Sequence, residues 1–263
     1  MLEVKAPSIA SRLVSDLREA GALFLRPQRV TVPMVALFAI IPVYLVIGAF
    51  VAGGHTHRPL SPLDAWFPLE PAWSLVYLSL FLAALLPVFV VHQQELIRRV
   101  VLMYLCTWLS AFALFLLYPT AAPAHAKVVG DDFTDILMRG LYGSDVPYNC
   151  FPSLHVAQCY LAANCCYKVH RGTGIAAFAW ATLVALSTLY TKQHYVADVI
   201  AGAALAFAIS QLFLRDYPRE ATPERERRLA PVLASGAVSL YCLGVLALWI
   251  AYLTAHAAST RPF

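Results

Sequence analysis

The sequence predicts an all-α fold, a polytopic membrane helix bundle with six core spans and one additional C-terminal transmembrane helix. Three observations carry this. Of the 263 residues, 60% are hydrophobic and only 13% are charged, about half the charged share of a soluble domain. The mean hydropathy is +0.67. The apolar residues collect in seven runs, each near the roughly 20 residues that a helix needs to cross a hydrocarbon core. Such a chain is not a cytosolic enzyme, a disordered segment or a nucleic-acid binder. Its net charge of +4 is too small to recruit a polyanion.

Residues 1–30 form a charged leader. Within it, 9–25 places Leu13, Leu17, Ala20 and Phe24 on one helical face, with Arg12, Asp16 and Glu19 elsewhere. That pattern fits an amphipathic helix in the inner interface, and equally a helix packed on the protein's own cytoplasmic side. The six-span core at 31–214 comprises spans 31–53, 74–92, 100–118, 151–170, 174–190 and 194–214. The first is too long for a signal-peptide core and lacks a small-x-small cleavage site, so it reads as a permanent span. Residues 215–230 form a charged cytoplasmic linker, expected to be solvated and partly helical. Residues 231–263 hold a seventh span at 231–254, free of acids and bases, and an external tail. No internal repeat is visible.

These spans sort 14 of the 19 Lys and Arg residues onto one side. Basic residues mark the cytoplasmic face, so the N terminus is expected inside. The expected setting is an integral membrane protein of a bacterial inner membrane. The external connection 119–150, 32 residues long, exceeds an ordinary loop. It carries Asp131, Asp132, Asp135 and Asp145. Its stretch 133–142 has helical spacing and is expected to form a short interfacial helix, either a lipid guide or a structural lid. The six cysteines include no CxxC pair, so neither a disulfide framework nor a zinc site is expected.

Two polar segments interrupt the apolar pattern. Asn149-Cys150-Phe151-Pro152-Ser153-Leu154-His155 lies where the long external loop enters the fourth span. Thr191-Lys192-Gln193-His194-Tyr195-Val196-Ala197-Asp198 lies where a tight external turn enters the sixth. His194 and Asp198 are four apart and share a face if both are helical. The carboxylate then fixes the imidazole tautomer and leaves the second nitrogen free to attack. A carboxylate one turn inside an apolar run is costly unless paired, which marks it as functional. The stripes His155, Cys159, Ala163 and Gly202, Ala206, Ser210 are mostly small, and small faces let helices approach closely. Meeting there, they bring His155 and His194 to one mouth. Pro152 and Ser153 suit the start of a helix, whose free N–H groups attract anions.

These segments resemble the type-2 phosphatidic acid phosphatase superfamily of integral-membrane lipid phosphatases and phosphotransferases. The family's P-S-x-H motif reads Pro152-Ser153-Leu154-His155. Its S-R-x5-H-x3-D motif reads Ser187-Thr188, five residues, His194, three residues, Asp198. The family's six-helix catalytic core corresponds to the first six spans. Thr188 stands where the family has arginine. The K-x6-R-P motif, expected near Tyr118–His125, has no basic residue there. Lys192 is the best substitute, with Arg139 and His125 as further candidates for substrate binding beside Ser153, Pro152 and Leu154. The Ser-Leu-His form and the His-Tyr-x-x-Asp run are more similar to the branch containing inositol phosphorylceramide synthases.

The resemblance implies a two-step displacement that uses no metal and no cofactor. His194, oriented by Asp198, attacks phosphorus, and His155 protonates the leaving oxygen and then activates water or an alcohol acceptor. The partners it implies are a phosphate-bearing membrane lipid and that acceptor, within the lipid bilayer. Two other readings stay open: metal-dependent hydrolysis through Asp131, Asp132 and Asp135, and non-catalytic transport of a lipid or small molecule.

Overall fold

The computed structural model describes residues 9–24, 27–125, 127–144 and 146–259. It is an all-helical bundle. The helices are α1 (Ile9–Phe24), α2 (Pro27–Val51), α3 (Trp73–Leu78), α4 (Leu80–Val90), α5 (Gln94–Leu117), α6 (Phe133–Ser144), α7 (Leu154–Val169), α8 (Arg171–Tyr190), α9 (Val196–Leu214) and α10 (Glu224–Ser259). Among the described residues the extended pairing is confined to two isolated bridges, His57 with Thr120 and Thr120 with Asn149. Among the described residues, five stretches have the length and hydropathy to cross a membrane: Trp73–Val90, Gln94–Leu117, Arg171–Tyr190, Val196–Leu214 and Glu224–His256. α2 and α7 occupy the remaining two expected positions.

α7 is the axis of the bundle and packs on α4, α5, α8 and α9. Its inward residues are small, among them Ala157, Cys159, Ala162, Ala163, Cys165 and Cys166, all buried. None of its 16 residues is exposed. At about 1.5 Å per residue it is near 24 Å long, short of the roughly 30 Å hydrocarbon layer. A helix largely enclosed by protein has little lipid to match, so its short length costs little.

The outer helices follow from local chemistry. Ser79 tightens Trp73–Val90 into α3 and α4: its hydroxyl donates to Val76 O at 2.6 Å and receives the Trp180 indole N–H at 2.8 Å. A hydroxyl bonded back to its own helix bends it. α5 starts at Gln94, earlier than the apolar run at residue 100, because the Gln93 side chain caps Leu96 N at 2.6 Å and Glu95 pairs with Arg99 at 2.9 Å. α8 begins at a cap by His170 on Thr173 N, and Gly174 lets it lie on the Tyr167 backbone.

At Pro231 the structure differs from the sequence reading: α10 runs through this residue instead of starting there, and the charged linker is partly helical, as expected. Arg225 pairs with Glu19 at 3.0 Å, and Arg228 with Asp16 at 3.2 Å and Glu19 at 3.3 Å. The leader thus packs on α10 through its acids while Val14 and Leu17 stay exposed. The side chains of Arg12, Leu13, Ala20 and Phe24, and all of Asp145, lie outside the described residues.

The packing gives a test. A Cβ on Gly174 overlaps Tyr167 backbone atoms, whereas one on Gly236 meets nothing within 4 Å. Gly174→Ala should destabilise the bundle by about 1–3 kcal/mol. Gly236→Ala should gain up to about 1 kcal/mol through lower backbone entropy in the unfolded chain. Thermal unfolding in detergent should therefore move Tm in opposite directions.

Candidate active site

Three segments meet where α7 and α9 begin and α8 ends. The Ser153 N–H donates to Asp198 O at 3.0 Å, directly joining α7's entry to α9's first turn. Beneath that bond sits Gly202, where a Cβ would overlap Ser153 O. Ser153 caps α7, its hydroxyl accepting from Val156 N at 3.3 Å. Pro152 lies just before this cap and Leu154 is the first helical residue, so the helix starts two residues later than the sequence pattern places Pro152. The loop ahead of it is held by Asn149 Nδ2 donating to Tyr44 O at 2.8 Å and Cys150 N to Thr120 O at 3.3 Å.

The α8–α9 turn is built around Thr188. Its carbonyl accepts from Gln193 N at 2.9 Å and His194 N at 3.2 Å, while its hydroxyl donates to Ala185 O at 2.7 Å. Lys192 takes a left-handed backbone conformation, φ +55°, which closes the turn. α9 starts only at Val196. His194 therefore precedes the helix, and the expected helical i,i+4 stacking with Asp198 is replaced by a cap geometry. Asp198 Oδ2 accepts from Tyr195 N at 2.8 Å, the return arm of a capping box. The physical reason is that a buried carboxylate in the first turn satisfies backbone N–H groups that the helix leaves unpaired.

The turn delivers the rings to each other. His155 Nδ1 and His194 Nε2 are 3.1 Å apart. His194 Nδ1 faces Asp198 Oδ2 at 3.5 Å, an electrostatic contact longer than a well-formed hydrogen bond. His194 and Asp198 are buried, at 4% and 0% exposed. The Tyr77 hydroxyl also lies near the His155 ring, 3.4 Å from Nδ1 and 3.5 Å from Nε2.

The candidate phosphate-binding groups divide. Lys192 lines a cavity of about 520 Å³ with His194, Tyr195, Asp64 and Phe67, and its ammonium lies 3.5 Å from Asp64 O. Arg139 is drawn away: it bonds Val128 O at 3.5 Å and Gly130 O, and pairs with Asp131 at 3.4 Å. His125 stacks on Tyr142 at 3.7 Å. The Tyr142 hydroxyl donates to Thr191 O at 3.1 Å, and burial pushes that phenol up to about 12, so it stays a donor throughout the neutral range. α6, the expected short helix, is thereby pinned to the Lys192 turn. No group of three or more His, Cys, Asp or Glu is placed to hold a metal ion among the described residues.

Sequence reasoning missed three residues. Asp64 accepts from Val196 N at 2.8 Å, and from Ser61 N and Oγ at 2.7 and 2.8 Å. It supplies a second carboxylate to α9's first turn. Its signal was the Ser-x-x-Asp spacing in a proline-rich loop. Tyr77 sits inside an apolar run, where an aromatic reads as packing. Arg58, in the loop after α2, lies within electrostatic reach of the Tyr195 hydroxyl. No motif marks it.

The family profile described as the PAP2 superfamily matches residues 53–212, a stretch that contains both histidines. The chain belongs to the PAP2 superfamily. A PA-phosphatase related-family protein of Dictyostelium discoideum is similar, 26% identical over 121 residues, which cover 38% of this chain. The match spans only 21% of that protein's length. No solved structure matches. The match begins after α2 and ends before α10, so α1, α2 and α10 lie outside the part that defines the superfamily.

The cap at the head of α7 is directly testable. Ser153→Ala removes the hydroxyl that accepts Val156 N–H and should cost about 1 kcal/mol. In a protein of this size that lowers Tm by about 2–4 °C, measurable by thermal unfolding. An unchanged Tm would mean that backbone packing alone sets the start of α7.

Proposed function

We propose that this protein is a metal-independent membrane lipid phosphatase or phosphotransferase working through a phosphohistidine. The observation that carries this reading is the His155–His194 contact at 3.1 Å with Asp198 behind His194. The contact supports one tautomer: Asp198 favours the proton on Nδ1, which leaves Nε2 as the nucleophile. His194 Nε2 bonds to phosphorus as the bond to the lipid oxygen breaks, and His155 delivers the proton to that oxygen. In the second step His155 takes a proton from water or an alcohol, whose oxygen displaces His194. The nitrogens now touch. A reacting group needs about 3 Å on each side, so the rings part as the phosphoryl group enters.

Charge placement supports an anionic ligand at α7. The first N–H groups of α9 already face Asp64 and Asp198, whereas α7 is capped by the neutral Ser153 hydroxyl. A phosphoryl oxygen therefore meets the helix end at Pro152, Ser153 and Leu154, with Lys192 as a cation that shares the His194 cavity. Arg139 and His125 act on this site only through the position of α6. With Thr188 neutral and buried, the site suits a phosphomonoester or phosphodiester better than a diphosphate. The Ser-Leu-His and His-Tyr-x-x-Asp segments favour transfer of a phospho-headgroup to an alcohol, as in the branch of inositol phosphorylceramide synthases. The basic-residue bias supports a site on the outer face, periplasmic in a bacterial inner membrane, with the N terminus cytoplasmic.

Two experiments test the chemistry. Purified protein given ³²P-labelled phosphatidate and quenched in alkali should retain label in the wild type and lose it in His194→Ala. Label of equal intensity in His194→Ala would refute the nucleophile. His155→Ala should lower kcat by about 10²–10⁴-fold, the usual worth of general acid–base help. EDTA should leave turnover unchanged. Loss of turnover on chelation, restored by a divalent ion, would overturn the metal-independent route.

A further inference from the structure

Arg58 sits in a loop that is fixed on both sides. Ahead of it, His57 N donates to Pro119 O at 2.8 Å and His57 O accepts from Ala121 N at 3.0 Å. The His57 ring also stacks on Tyr118, with centroids 4.0 Å apart. Behind it, Asp64 accepts from Val196 N at 2.8 Å. Between these anchors Leu60 and Ser61 line the His194 cavity. The Arg58 side chain is exposed and lies within electrostatic reach of the Tyr195 hydroxyl. Among the described residues no hydrogen bond or ion pair holds its guanidinium. Arg139, by contrast, is tied to Gly130 O and Asp131 of its own loop. Tyr195 lines the same cavity beside His194 and Lys192 and is only 5% exposed. Its backbone N–H donates to Asp198 Oδ2, but among the described residues its hydroxyl has no hydrogen-bond partner. A buried hydroxyl left unpaired costs about 1–3 kcal/mol. Phenylalanine would pack the same ring without that cost, so the hydroxyl answers to a group that enters the cavity.

We infer that the Arg58 guanidinium and the Tyr195 hydroxyl bind the phosphoryl oxygens of the substrate at His194. The inference rests on the phosphohistidine reading and deepens it by naming two groups that hold the reacting phosphate. Both side chains are donors without an acceptor of their own, and both belong to segments that border the His194 cavity. A guanidinium stays charged at any working pH and can offer two parallel N–H groups to two oxygens. The phenol adds one donor from a fixed backbone, because Tyr195 is the residue that opens α9. Neither residue takes up or releases a proton in this role, and no bond to phosphorus is made by either. Thr188 is neutral and buried, so the charge reaches the site from the loop ahead of α3. Nearby carboxylates do not cancel it: Asp64 already accepts from Val196 N, Ser61 N and Ser61 Oγ. Hydrogen bonds to a charged ligand are worth about 1.5–3 kcal/mol, so loss of either donor is felt in binding.

The test uses the full chain in detergent micelles and tungstate, a tetrahedral oxyanion that needs no turnover to bind. Titration calorimetry should give a Kd about tenfold weaker for Arg58→Ala and for Tyr195→Phe than for the wild type. Arg58→Lys, which keeps the charge and loses the fork, should fall between. Lys127→Ala serves as the control for diffuse attraction, because Lys127 is another exposed cation on the loop side of the bundle. It should leave Kd unchanged. Equal weakening by Lys127→Ala and Arg58→Ala overturns the assignment, as does a wild type that binds no tungstate or variants that bind it as tightly as the wild type. Tyr195→Phe keeps the ring, so an unchanged Tm beside the weaker Kd separates ligand contact from packing. Turnover of p-nitrophenyl phosphate is measured on the same samples. Tungstate binding that follows this pattern in a protein without turnover would overturn the phosphohistidine reading and leave the anion site standing.

Discussion

One backbone contact governs the rest: Ser153 N–H on Asp198 O, made possible by the missing side chain at Gly202. It joins two helix entries that are 45 residues apart in the chain. Everything chemical hangs from it. His155 is two residues beyond Ser153, and His194 is four before Asp198, so fixing this one bond fixes the distance between two rings. Small side chains extend the same contact down the pair, with Cys159, Ala163, Ala206 and Ser210 all buried. Close approach in lipid depends on such small faces, and here it serves registration as well as stability.

Around that contact the protein manages charge by using carboxylates as structural acceptors. Asp64 and Asp198 come from different segments and both satisfy the first N–H groups of α9. The turn that carries Lys192 and His194 is thereby fixed from two directions. Tyr142 adds a third by donating to Thr191 O. A buried polar network is worth having only when its members are satisfied. This one spends most of its hydrogen bonds on holding backbone and leaves the imidazoles to meet each other.

Much of this was legible in the sequence, and the reasons differ by element. The spans were visible because lipid demands long apolar runs, and the candidate site was visible because His155, His194 and Asp198 break those runs at matching ends. Ser153 and Gly202 were readable as a cap and a small face. The start of α9 was not. Spacing alone put His194 and Asp198 on one helix, but the carboxylate competes for the helix's own N–H groups, and capping won. Arg139 was unreadable for a related reason: a cation in a long loop finds the loop's carbonyls before it finds a distant site. Tyr77 and Asp64 reach the site through tertiary packing, which leaves no local signature. Pro231 misled because proline usually opens a helix, whereas here the preceding charged turn is held by the leader's acids.

The short central helix has one further consequence. Bilayers differ in thickness, and a lipid-facing helix answers by tilting or by pulling the surrounding lipid thinner or thicker. α10, 36 residues long and mostly exposed along its apolar length, must respond in this way. α7 has no exposed residue and feels little of this pressure. The hydrophobic-mismatch strain therefore falls on the rim of the protein, and the spacing of the two rings is insulated from the composition of the membrane around it.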